Sequence, residues 1–276
     1  MKKIFLLLLF KSGFLLAQPS TDVYILDLST ENNCPINISK NPGYDNQPSF
    51  WDNDLLLYTR TRGQQTDIVR YNLNNEKSSW LTTTLQGSEY SPLRIDQSEA
   101  FSAIRLDTTG LQRLYRYPLN GVEKVLFDPL KIGYHHWISA EELLCTVLVE
   151  DRMDLVLAHE NKPPKVIAQQ VGRSLHAIPI SQELSFIQLI DGKSVLYSYS
   201  PAKQAVKALL TLPNGVQDVA WLSNGKLIFG QGNSLYQWDP FTSTGIEQWK
   251  RLEGVHSISR LALSPNGKLL ALVCED

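Results

Sequence analysis

Ile258-Ser-Arg-Leu-Ala-Leu-Ser-Pro-Asn-Gly-Lys-Leu-Leu-Ala-Leu-Val-Cys274, near the end of the chain, reads as two strands joined by a tight turn. Asn-Gly supplies the positive φ such a turn needs, and the Ser ahead of it can bond its own backbone. Thr21-Asp-Val-Tyr-Ile-Leu-Asp-Leu28 and Pro35-Ile-Asn-Ile-Ser39, near the start, read as two more strands. Neither half makes a complete sheet. Together they make one four-stranded unit, split between the two ends. A chain arranged in this way closes into a ring by pairing its ends, which predicts an all-β, six-bladed β-propeller with four-stranded blades.

The same turn recurs through the chain. It stands at Trp51-Asp-Asn53, Ile95-Asp-Gln97, Ile138-Ser-Ala140, Ile180-Ser-Gln182, Leu222-Ser-Asn224 and Leu263-Ser-Pro-Asn266. Its Asp or Ser falls at positions 52, 96, 139, 181, 223 and 264, so the period shrinks gradually from 44 to 41 residues. A four-stranded blade takes about 40–45 residues. After each turn comes an apolar run, such as Leu55-Leu-Leu-Tyr58, Leu143-Leu-Cys-Thr-Val-Leu148 or Leu269-Leu-Ala-Leu-Val273. Runs of this kind suit strands covered on both faces by neighbouring blades. A third strand follows with stronger alternation, as in Asp67-Ile-Val-Arg-Tyr71 and Ser234-Leu-Tyr-Gln-Trp238, and then a short outer strand. Trp51, Trp137 and Trp221 recur beside the turn and are expected to pack between blades.

Asp45-Asn-Gln-Pro-Ser-Phe50 with Thr66-Asp-Ile-Val-Arg-Tyr-Asn-Leu73, and Ser264-Pro-Asn-Gly-Lys-Leu269, resemble the WD-repeat-like propeller repeats of TolB-type proteins. Ser88-Glu-Tyr-Ser-Pro92 followed by Gln112-Arg-Leu-Tyr-Arg116 resembles the version found in exported proteins of Bacteroidetes. The resemblance implies the fold, over nearly all of residues 18–276, and says little about activity. TolB itself carries an additional N-terminal domain for which this reading leaves no room, so TolB's envelope role is not implied.

Met1-Lys-Lys-Ile-Phe-Leu-Leu-Leu-Leu-Phe10 has a basic start and an apolar core, and Leu15-Leu-Ala-Gln18 offers cleavage after Ala17. The expectation is a signal peptide over 1–17, a single propeller domain over 18–276, and an exported product in the periplasm or outside the cell. The apolar run is too short to span a bilayer, so no membrane insertion is expected after cleavage. Loss of residues 1–17 removes three lysines and no acids, which moves the formal charge from −2 to −5. A mildly acidic domain has no general attraction for nucleic acid. The three cysteines form no disulfide framework. In the expected register Cys34 and Cys274 lie roughly 15–20 Å apart at ~3.3 Å per residue, beyond the ~4–7 Å a disulfide allows.

No nucleophile elbow, zinc-protease helix, phosphate loop or calcium loop is found, and Gly230-Gln-Gly232 reads as hairpin glycines. No metal or cofactor is expected. The informative positions are those leading into each inner strand, which open on one face of the ring around the channel. They include Tyr44, Asp45 and Gln47; Glu89 and Tyr90; Tyr134, His135 and His136; Arg173 and His176; Gln217 and Asp218; His256 and Arg260. Tyr90, His136, His176 and Asp218 come from four successive inner strands at similar depth, and they form the candidate ligand-binding set. A phenol, two imidazoles and a carboxylate can hydrogen-bond a polar ligand or move a proton. The same residues would equally serve as the polar lining of a wet channel. Two functions stay open. One is a non-catalytic binding module for a protein, peptide or glycan. The other is a propeller hydrolase or lyase with a histidine-containing funnel.

Overall fold

The computed structural model describes residues 20–32, 34–242 and 244–275. The expected signal peptide lies outside them. Among the described residues every regular element is a strand, and the strands form six four-stranded antiparallel sheets. Each sheet is one blade of a propeller. The inner strands of the first five blades are Asn46–Phe50, Gly87–Arg94, Ile132–Trp137, Val171–Ala177 and Ala220–Trp221. That of the sixth is Ile258–Leu263. All six Asp/Ser turn positions fall between an inner strand and the strand that follows it.

The sixth blade is assembled from both ends of the chain. Thr21–Asp27 pairs antiparallel with Leu269–Glu275 over seven residues, from Thr21 opposite Glu275 to Asp27 opposite Leu269. The outer strand is only Ile36–Asn37. Side chains extend it: the buried Asp22 carboxylate accepts from the Ser39 hydroxyl and the Asn37 amide, each at 2.6 Å. The Val23 N–H donates in turn to Ser39 Oγ at 3.0 Å. Polar groups on a buried edge need partners, and Asp22 supplies them where the ladder stops.

The core lies in layers between blades rather than at a single centre. One cluster (Val23, Leu56, Tyr58, Val273) joins the sixth blade to the first, and another (Trp51, Leu57, Phe101, Tyr117) joins the first to the second. Further clusters join the second to the third, the third to the fourth, and the fourth through the sixth. Leu56, Leu57 and Tyr58 are fully buried in succession, so the second strand of that blade is covered on both faces. This is why those strands read as unbroken apolar runs.

Two of the recurring tryptophans carry a polar tie as well. Trp137 donates its indole N–H to Ser102 Oγ of the preceding blade at 2.8 Å, and Trp221 donates to Ser185 Oγ at 2.8 Å. Trp51 packs with Phe101 and Tyr117 across the blade boundary, beneath the Arg94 guanidinium at 4.9 Å. The cysteines are free, with Cys145 and Cys274 buried and Cys34 exposed. No described helix is long and apolar enough to cross a membrane.

Candidate functional site: the channel funnel

The inner strands are bent where they approach the channel mouth. Pairing with the second strand slips between Asn46 and Ser49, Tyr90 and Leu93, Ile132 and Tyr134, Val171 and Leu175, and Ile258 and Arg260. Bulges of this kind re-aim side chains and are common beside binding sites. Gln47 and Ser91, the residues ahead of Pro48 and Pro92, have φ of 56° and 52°. Gln47 Oε1 accepts from the Ser91 N–H at 2.8 Å and from Thr59 Oγ1 at 2.9 Å, which holds both strained positions in place.

The bulges sort the candidate residues into two groups. Some turn sideways into the blade interfaces. Asp45 is fully buried and accepts from the Asn41 side chain and the Thr61 N–H. Glu89 is fully buried against Thr82 and the Tyr117 hydroxyl. His135 bonds Ser102 Oγ at 2.7 Å beside Trp137. Asp45 and Glu89, expected around the channel, thus lie between blades, whereas His135 also lines the smaller of the channel cavities described below. His256 is exposed on the loop before the last inner strand.

The others converge on the channel. A cavity of about 580 Å³ forms the funnel, lined by Tyr44, Tyr134, Arg173, Gln217, Asp218 and Arg260 among others. A smaller one of about 100 Å³ continues from it past Gln47, Ser91, Ser174 and His176. Tyr134, Arg173, Asp218 and Arg260 line both, so they form the neck between them.

Of the four candidates, His176 and Asp218 line the smaller cavity together. His136 feels the charge of His176, and His176 that of Asp218. Tyr90 reaches the mouth only through Tyr44, which it meets edge to face at 6.3 Å.

The electrostatics of the neck follow from burial. Burial, then the nearby His176, lowers His136 to about 4. Burial also lowers His176, against an opposing pull from Asp218. Both imidazoles are therefore neutral at pH 7, and His176 Nε2 shares a hydrogen bond with Ser174 Oγ at 3.0 Å. Several polar groups tie blades together. Asp218 Oδ2 accepts from the Leu261 N–H at 3.0 Å, and Ser174 Oγ accepts from the Val219 N–H at 3.2 Å. Arg173 Nη2 donates to the Ser259 carbonyl at 2.7 Å. Arg260, on the sixth blade, lies 5.3 Å over the ring of Tyr134 on the third, across the channel. Among the described residues no group of three or more His, Cys, Asp or Glu side chains is placed to hold a metal.

The arginine pair is the feature that the four-residue candidate set missed. Arg173 and Arg260 are visible in the sequence only as two of many positions leading into inner strands. Their meeting depends on the bulges and on the ring geometry.

Comparison with protein-family profiles and with curated proteins gives no match. Solved structures are similar in fold. A protein of Agrobacterium tumefaciens assigned as a TolB superposes with a TM-score of 0.73 at 14% identity, covering 94% of this chain and 99% of its own. A gluconolactonase from Xanthomonas campestris gives 0.63 at 11% identity, covering 94% and 97%. An oligogalacturonate lyase in complex with manganese gives 0.59 at 15% identity, covering 92% and 83%. At these identities the likeness is one of architecture, shared by binding proteins and enzymes alike. The fold is that of the TolB-type six-bladed β-propellers.

Proposed function

We propose that the chain is an exported, non-catalytic binding module that receives a protein, peptide or glycan at the funnel, with His176 and Asp218 facing the ligand and His136 and Tyr90 behind them. The observation that carries this reading is the state of the channel groups. A general base works best with a pKa near the working pH, whereas burial and His176 bring His136 down to about 4. Asp218 and Ser174 are each engaged with a backbone N–H of a neighbouring blade. Groups held in this way present a fixed hydrogen-bonding surface and are poorly placed to cycle protons. The basic start of the chain and the apolar core after it support export.

The second reading is a hydrolase or lyase acting on glycan or peptide. It draws on two imidazoles and one carboxylate near enough to act on one another, His136 with His176 and His176 with Asp218. One experiment separates the two. The purified protein is screened by thermal shift against peptides, glycans and divalent ions, and every binder is then incubated and assayed for product by mass spectrometry. The binding reading expects stabilisation without turnover, weakened in the His136→Ala/His176→Ala double variant. Turnover lost in that variant would establish the enzyme instead.

A further inference from the structure

The channel neck holds two guanidinium groups and too little negative charge to match them. Arg260 is only 8% exposed and Arg173 is half-buried. The Nε of each is buried without a hydrogen-bond partner. Among the described residues neither makes an ion pair within 4.0 Å, although other arginines such as Arg105 and Arg152 do. The two guanidiniums are close enough to repel, and after burial the nearness of Arg260 is the main influence lowering Arg173. Among the described residues Asp218 is the one carboxylate that lines the neck, and its Oδ2 is committed to the Leu261 N–H. Glu275 lines only the wider mouth, where it is exposed. Arg173 bonds the Ser259 carbonyl and Arg260 the Tyr134 hydroxyl at 3.4 Å, but neutral acceptors do not balance charge, and buried like charges without counter-ions are costly. A structure that places them on two blades, facing one cavity, is organised for an anion that arrives from outside.

We propose that the neck is a receptor for a single organic carboxylate at the end of a chain, held by Arg173 and Arg260 with Tyr44 and Tyr134 against the group that carries it. This rests on the funnel being the ligand site. Charge decides for a carboxylate over a phosphate. Two guanidiniums and Asp218 leave one net positive charge, which a carboxylate neutralises, whereas a phosphate group carries about −1.5 to −2 at pH 7 and would leave an excess beside Asp218. Planar guanidinium matches carboxylate geometry in two parallel hydrogen bonds. Shape decides for a chain end. The arginines stand where a cavity of about 580 Å³ meets one of about 100 Å³, and the smaller has room for a terminal group but not for the middle of a polymer. Two sources share this chemistry: a C-terminal amino acid and a terminal uronic acid.

The test is calorimetric titration with four probes and one control anion. The probes are N-acetyl-trialanine as free acid and as C-terminal amide, and glucuronate beside glucose; the control is inorganic phosphate. NMR signals of the Arg173 and Arg260 Nε–H groups report where binding occurs. At least one acid is expected to bind tenfold or more tighter than its neutral partner and to shift both signals. Arg260→Gln and Arg173→Gln, checked for unchanged folding by thermal melting, are expected each to weaken that acid at least tenfold. Which acid binds identifies the carrier. Failure of both acids, equal binding of acid and neutral forms, or tighter binding of phosphate overturns the carboxylate site. Neutral forms that still shift the funnel signals would leave the funnel as the ligand site. Binders that shift neither signal would remove both.

Discussion

The Trp221 indole N–H donates to the Ser185 hydroxyl at 2.8 Å, across the boundary between the fifth and fourth blades. The same bond joins Trp137 to Ser102 between the third and second. In each case one large ring fills the seam and one hydrogen bond fixes its angle, at the same repeat position. Truncating a buried tryptophan costs about 3–5 kcal/mol. Trp221→Ala is therefore expected to lower stability by that amount in urea titration. Trp221→Phe keeps most of the volume and removes this one hydrogen bond, leaving Ser185 Oγ its 3.5 Å bond to the His176 carbonyl, so about 0.5–1.5 kcal/mol is expected. Equal losses for the two variants would show that the hydrogen bond, and not packing, dominates at the seam.

Closure makes a second prediction. Deleting residues 20–40 removes Thr21–Asp27 and the short outer strand, leaving Leu269–Glu275 as an open edge. That strand is buried from Leu270 to Cys274. An apolar edge with unpaired backbone is a template for aggregation. The truncated protein is expected to elute as aggregate in size-exclusion chromatography. A soluble monomer melting at the full-length temperature would mean that the ring does not depend on its closing strands.

The architecture was legible because its signals are local and repeated. Six turns at a nearly fixed period needed only Asp, Ser and Asn-Gly chemistry to be recognised, and all six fall where the hairpins are. The closing blade was legible for the same reason, apart from its outer strand, which ends at Asn37 because Asp22 and Ser39 take over its bonding. The site was less legible. Position ahead of an inner strand assigns Asp45 and Glu89 to the channel, but position alone does not give side-chain direction, and both side chains are fully buried between blades. Arg173 and Arg260 lie 87 positions apart and two blades apart. No local pattern records that they meet.

Gly230 shows a constraint of the opposite kind, one set by a neighbour rather than by φ. A Cβ placed there would lie 2.3 Å from Ile258 Cγ2 and 2.6 Å from Ile258 Cβ. The second strand of the fifth blade thus approaches the inner strand of the sixth as closely as glycine permits. Gly232, two residues on, has φ of 59° and open space around it. Gly230→Ala must push two blades apart and is expected to cost about 3 kcal/mol, at the upper end of overpacking. Gly232→Ala meets only the left-handed penalty of about 1–2 kcal/mol. Denaturation midpoints that place Gly232→Ala as the more damaging change would refute the close approach.

Glu89 makes stability depend on pH. Its carboxyl is fully buried beside Thr82, Tyr117 and Asp67, and burial is the main cause that raises it to about 7. A carboxyl that titrates near 4.5 when unfolded and near 7 when folded binds its proton more tightly in the fold. The folded protein then holds more protons than the unfolded chain between those values, so stability falls as pH rises through that window. The full shift corresponds to about 3 kcal/mol. His135 and His136, lowered by burial to about 3 and about 4, work in the opposite direction below pH 6.5. The net profile of the natural protein therefore mixes both trends. Glu89→Gln isolates the carboxyl, since an amide mimics its protonated form at every pH. The variant is expected to match the natural protein near pH 4.5 and to exceed it by about 2–3 kcal/mol at pH 8. Urea midpoints at both pH values measure the difference. A variant equally destabilised at both would show that Glu89 is ionised in the fold and held by its hydrogen bonds.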